Sequence, residues 1–178
     1  MQSIGIWEKK VRVTVKNCND ESVVQLIRKA LHYYARQLFT KGGHNGLTVS
    51  VVLIDDTSTC YADEPDQGSC CVTHYDHNWK PICFEIELLK TDLRSLISNA
   101  AHEMVHVKQF ASRTISTNLD SWKGKKLRRS AGYWDEPWEI EAYGMEPCLF
   151  NKFIEQYDLK DFFYQNSRWA TPKPVAKY

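Results

Sequence analysis

Alternating and helical hydrophobic patterns divide the chain into a short series of elements. Val11 to Val15 alternates apolar and polar residues and predicts a strand. Asn17-Cys18-Asn19-Asp20 is turn chemistry that also supplies a helix N-cap. Val23, Val24, Ile27, Leu31, Tyr34 and Leu38 then share one face of a helix over 21–39. Gly42-Gly43 and Asn45-Gly46 end it. The apolar, β-branched run Leu47 to Ile54 predicts a strand buried on both faces. After a loop over 55–68, Ser69 to Tyr75 and Ile82 to Leu89 predict two more strands around a turn at Asp76 to Pro81. In the last strand Ile82, Phe84, Ile86 and Leu88 face the core, and Cys83, Glu85 and Glu87 face the other way.

Thr91 or Asp92 caps a helix running to about Ser112, with Leu93, Leu96, Ile97, Ala100, Met104 and Val107 as its apolar stripe. His102 and His106 fall off that stripe, on a polar edge with Ser95, Asn99 and Gln109, as residues facing a cleft would. Arg113 to Tyr133 has no regular pattern. Pro137 suits the first turn of a last major helix, capped by Asp135 or Glu136 and running to about Phe150 with a break at Pro147. A short helical segment follows over 149–157.

Composition changes this picture little. The length of 178 residues suits one domain over 1–170, with a loosely held tail over 171–178. A formal net charge of +1 gives no general attraction to nucleic acid or membrane. Met1 to Lys10 carries no apolar leader, and no run is long enough to span a bilayer, so the expectation is a cytoplasmic protein with no membrane partner. Six cysteines without a C-x-x-C pair are expected to be free thiols.

The chemistry is concentrated in His102-Glu103-Met104-Val105-His106. H-E-x-x-H on a helix sets two imidazoles one turn apart on one face, where both reach one Zn²⁺, with a glutamate beside them to handle a proton. Catalytic zinc takes three protein ligands and keeps one open position. A third histidine in the longer H-E-x-x-H-x-x-G-x-x-H pattern is excluded, because Gln109 and Ser112 stand where glycine and histidine are needed. No histidine follows His106, so a carboxylate from the next helix is expected. Glu139 and Glu141 are the candidates. They point to different sides, so only one can face the ion. Glu141 is preferred because it lies deeper in the helix and precedes Ala142, whose small side chain lets two helices approach. Glu139 is the alternative.

His102 to His106 followed by a helical Glu141-Ala142 resembles the gluzincin arrangement of zinc metallopeptidases. The order of elements over 20–150, with Gly68-Ser69-Cys70 ahead of the strand Ile82 to Leu89, resembles the small SprT/Spartan-like group. This resemblance implies a zincin-like α+β fold. Its small, twisted, mainly antiparallel sheet of three to four strands would pack on the first helix and the H-E-x-x-H helix, with a glutamate-bearing helix after them. It implies a Zn²⁺ peptidase acting on protein or peptide, with His102, His106 and Glu141 as ligands. Glu103 would be the general base that takes a proton from zinc-bound water. The strand Ile82 to Leu89 would pair with an extended substrate along its edge. The oxyanion donor is open among Tyr133, Tyr143, Arg113 and His74, with Tyr133 the choice. The alternatives are an inactive binding or structural module of the same fold, or a nucleic-acid-associated protease that uses the basic loop Lys123 to Arg129.

Three further clusters carry weaker expectations. His74-Tyr75-Asp76-His77 is chiefly a polar turn, with substrate contact or a second metal as lesser readings. Cys70-Cys71 is chiefly strand packing rather than a redox or latent metal pair. Lys123, Lys125, Lys126, Arg128 and Arg129, flanked by aromatics, could hold a nucleic-acid backbone, but a solvated basic loop is favoured.

Overall fold

The computed structural model describes residues 11–39, 46–55, 68–127 and 132–165. Its elements are β1 (Arg12–Lys16), α1 (Glu21–Leu38), β2 (Thr48–Ile54), β3 (Gly68–Tyr75), β4 (Pro81–Leu89), α2 (Leu93–Ala111), a short hairpin of β5 (Ser121–Trp122) and β6 (Lys125–Lys126), a 3₁₀ turn (Tyr133–Asp135), α3 (Pro137–Gln156) and α4 (Lys160–Gln165). The expected tail over 171–178, the glycines at 42 and 43, and Arg128 and Arg129 lie outside the described residues.

The chain is α+β with a four-stranded mixed sheet in the order β1-β2-β4-β3. β1 with β2 and β2 with β4 are parallel, and only β3 with β4 is antiparallel. The expectation of a mainly antiparallel sheet is therefore corrected. The reason is connectivity: α1 carries the chain from the end of β1 back to the start of β2, which makes that pair parallel, and β3 reverses the chain between β2 and β4, which then run the same way. Only the tight turn at Asp76–Lys80 permits an antiparallel partner. There the Asp76 carboxylate accepts from the Asn78 and Lys80 amides at 2.8 and 2.9 Å.

Two strand expectations also change. β2 alternates rather than being buried throughout: Val49, Val51 and Leu53 enter the core, while Thr48, Ser50, Val52 and Ile54 are only half-buried. β4 is interior, bonded to β2 on one side and β3 on the other, so it has no edge to offer a peptide. The edge strands are β1 and β3, and β3 is the one that starts beside Glu103. Its register shifts between Val72 and His74, a bulge that disrupts pairing toward its C-terminal end.

Helices α1 and α2 pack against the sheet, and α3 packs on α2 and α1. Asp20 and Asp92 cap α1 and α2, each accepting from two amides of the first turn. The Tyr34 hydroxyl donates to the Ile97 carbonyl at 3.1 Å inside the core, tying α1 to α2, and the rings of Tyr33 and Tyr34 meet Phe153 of α3. The expected break at Pro147 does not occur, and α3 runs unbroken from Pro137 to Gln156. Proline removes the bond to the carbonyl four residues back, that of Tyr143. Both residues are exposed, so water can meet that carbonyl.

Replacing Tyr34 with Phe should lower unfolding free energy by about 1 kcal/mol, since it removes this buried hydrogen bond between α1 and α2. Urea denaturation reads this directly, and an unchanged midpoint would contradict the tie.

Candidate metal centre

α2 is buried all round from Ala100 to Val107. Its apolar stripe meets the sheet and α1, and α3 covers the polar edge that carries His102 and His106. The two imidazoles are accordingly 6% and 8% exposed. They do not line an open cleft as their polar neighbours suggested. A buried imidazole must find a partner for each ring nitrogen, and these partners define the site.

Each Nδ1 is bound from outside. His102 Nδ1 lies 3.3 Å from Glu146 Oε2, and the other Glu146 oxygen accepts from Ser98 Oγ at 2.7 Å. His106 Nδ1 lies 2.8 Å from Gln109 Oε1. The Gln109 amide has one sensible orientation, because its nitrogen faces two acceptors: the Trp138 carbonyl at 3.0 Å and Glu141 Oε2 at 2.8 Å. Gln109 is fully buried, so these bonds hold it rigidly. Both Nδ1 atoms therefore donate, and each ring in its neutral form presents the Nε2 lone pair inward.

The inward side is filled by acceptors. His102 Nε2 and His106 Nε2 are 3.1 Å apart. Glu139 Oε2 lies 3.1 Å from His102 Nε2, and Glu139 Oε1 lies 3.5 Å from His106 Nε2. Two imidazole lone pairs and a carboxylate at such separations repel one another unless a cation sits among them. A tetrahedral ion with bonds of about 2.0–2.1 Å sets its ligand atoms about 3.3–3.4 Å apart, close to the separations found. The buried His102, His106 and Glu139 group can thus hold a metal ion. The nitrogen and oxygen donors suit a borderline divalent metal, and the outer carboxylate and amide fix each ring.

The pKa shifts express the same field in protons. Burial would lower His102, but hydrogen bonds to Glu139 and Glu146 and the charge of Glu103 outweigh it and raise its pKa to about 10. His106 is also raised: burial opposes the shift, and Glu139 and Glu103 overcome it. Burial would raise Glu139, but the two histidines bring it down to about 2. Without metal, the cluster keeps a proton where the metal would go.

The carboxylate that joins the two histidines is Glu139, and Glu141 does not occupy that position. In a helix the two are about 200° apart. Glu139 faces the imidazoles, while Glu141 lies on the other flank, bonded to Gln109 and 3.5 Å from Lys108 Nζ. Ala142 is indeed fully buried against α2. Its neighbours across that contact are the residues three before and four after it, Glu139 and Glu146, and not the residue just before it. Glu139 and Glu146, seven apart, share one face and grip opposite nitrogens of His102.

Glu103 is buried beside the start of β3. A Cβ at Gly68 would stand 2.8 Å from Glu103 Oε1, so only glycine leaves room for the carboxylate there. Tyr133 donates from its hydroxyl to Glu139 Oε2 at 3.1 Å, and the Tyr143 ring packs 4.5 Å from the His102 ring. Arg113 is committed elsewhere, donating to the Asn78 carbonyl at the tip of the β3–β4 hairpin. His74 is exposed on β3, and among the described residues His74, Asp76 and His77 form no ligand cluster. Burial, with the charge of Glu103, pushes the Cys70 thiol well up, away from a metal-binding thiolate. Lys123, Lys125 and Lys126 are exposed on the β5–β6 hairpin, with Lys123 over the Trp122 ring. The sequence does not mark Glu146 and Gln109 as partners of the histidines, nor Ser98 as the partner of Glu146, although the spacing of Glu146 from Glu139 is a signal.

No protein-family model, curated protein or solved structure matches the chain.

Zn²⁺ titration against a chromogenic competitor should give one site per chain. Glu139→Ala should abolish that one-to-one binding. Glu141→Ala should only weaken it, by about 10–100-fold, as the loss of an outer partner does. Equal losses in both would contradict the assignment. Because metal must displace the His102 proton, affinity should rise with pH through the neutral range toward about 10.

The metal-free protein should show a matching stability profile. The His102 contribution is full below 6.5 and is lost as pH climbs through about 10. The Glu139 contribution is present above 4.5 and is lost as pH falls toward about 2. Thermal melts across this range check both signs.

Proposed function

We propose that this protein is a zinc-dependent hydrolase, a metallopeptidase of gluzincin type that uses His102, His106 and Glu139 as its ligand set. The observation that carries the proposal is the convergence of two imidazole lone pairs and a carboxylate on one buried point, with a second glutamate, Glu103, next to them in the motif. A bound zinc supplies a Lewis acid for a carbonyl oxygen and lowers the pKa of water.

The chain's own residues supply the rest. Glu103 accepts a proton from the attacking water and returns it to the leaving amine. Gly68 gives its carboxylate space to do so. The hydroxyl of Tyr133 is a donor already within hydrogen-bond distance of the ligand carboxylate, and it turns to the carbonyl oxygen as charge develops there. Glu146 and Gln109 hold the histidine rings so that neither Nδ1 competes for the centre. β4 is enclosed on both sides, and of the two edges, β1 and β3, backbone docking falls to β3 because it starts against Glu103. An extended peptide pairs with β3 ahead of its bulge, over Gly68 to Val72.

An inactive binding module with the same fold would hold zinc equally well and would cleave nothing. Glu103→Gln separates the readings. Zinc affinity should persist while peptide hydrolysis falls at least about 100-fold, the usual contribution of a general base. Hydrolysis unchanged in that variant would exclude Glu103 as the base. Wild-type zinc-loaded protein that cleaves no unfolded or peptide substrate would favour the binding module. Gly68→Ala should also cut turnover with zinc binding retained, measured with the same assays.

A further inference from the structure

We infer that Trp134 and Tyr143 form an aromatic shelf beside the metal group, and that it seats an aromatic side chain of the substrate next to the cleaved bond. This rests on the peptidase reading above. Trp134 is 60% exposed and Tyr143 is 39% exposed, although both stand at the edge of a buried site. Their ring centroids are 5.1 Å apart with planes inclined by 35°, closer to stacked than to perpendicular. The Tyr143 ring continues inward to the edge of His102, 4.5 Å away. On the other side, Tyr133 meets Trp134 edge-on at 5.4 Å while its hydroxyl is bonded to Glu139. The shelf is therefore anchored to the metal group at two points, through one ligand histidine and the ligand carboxylate.

Ile140 extends it. It is exposed and lies three residues before Tyr143, hence beside it on the helix surface. Helix geometry puts the pair on the flank of α3 beyond Glu139, away from the face that Ala142 buries. Exposed apolar surface of this kind, contiguous with a polar site, marks a binding surface more often than chance. A flat, inclined pair of rings favours another ring by offset stacking or edge contact. A cationic side chain would also find π faces attractive. The neighbouring divalent ion opposes it, because His102, which ends the shelf, is itself a ligand.

The test is a position-scanned peptide series in which one Phe, Leu, Arg or Ala moves through an otherwise fixed sequence, with cleavage sites mapped by mass spectrometry. Zinc-loaded wild-type protein should prefer Phe over Ala by about tenfold in kcat/KM at one position flanking the cleaved bond. Trp134→Ala should bring that ratio close to unity, and Trp134→Phe should keep part of it. Circular dichroism and zinc content would verify that each variant is folded and loaded. Cleavage with no side-chain preference, with a preference for Arg, or with a Phe preference that survives Trp134→Ala overturns the shelf and leaves the peptidase standing. Absence of cleavage for every peptide overturns the peptidase reading and the shelf with it.

Discussion

Three hydrogen-bond acceptors pointed at one buried place are unstable without a positive charge among them. His102 Nε2, His106 Nε2 and the Glu139 carboxylate are in that position, and the surrounding bonds keep them there. Glu146 and Gln109 occupy the outer nitrogens, so neither ring can relieve the repulsion by exchanging tautomers. A buried apolar core would not tolerate this arrangement, and a surface would screen it. It persists because a cation, either a proton or a metal ion, completes it. The proton form accounts for the raised histidines and the lowered carboxylate.

This demand for a cation arises at the contact between α2 and α3, and the candidate metal centre depends on that contact. Ala142 sets the closeness of the two helices. Every bond that orients the site crosses or borders that seam: Ser98 to Glu146, Glu146 to His102, Gln109 to the Trp138 carbonyl and to Glu141. Glu141 thus has a part, at one remove, by holding Gln109. The sheet contributes from the opposite side, where Gly68 at the start of β3 makes room for Glu103. Glu103 shares α2 with the two histidines, but the room around it is set by β3, so that room can be altered with the ligand set intact.

Much of this was legible along the chain, and the misses have definite causes. The elements themselves followed from period, because amphipathic helices and alternating strands bury one face each. Sheet direction did not follow, because the hydrophobic pattern of β2 and β4 is the same whether their partners run parallel or antiparallel. The crossover through α1 was the better guide. Pro147 predicted a break because proline costs a hydrogen bond, yet on the solvent side of α3 that bond is replaceable. Glu141 does not join the two histidines for a geometric reason. Ala142 correctly marked a close helix approach, but closeness is shared with residues three or four away, not with the adjacent residue. Gln109 was noted on the same edge as the histidines, and its role was invisible because an amide carries no charge signal. Tyr133 could be nominated from the sequence only as one of several donors, since its distance to Glu139 depends on the 3₁₀ turn before α3.

The most direct test of the central claim is X-ray absorption at the zinc edge on protein loaded with one equivalent of Zn²⁺. The account predicts nitrogen and oxygen scatterers alone, at about 2.0–2.1 Å, with the multiple-scattering pattern of two imidazoles. A sulfur shell at about 2.3 Å, or a spectrum of zinc with no imidazole contribution, would contradict it.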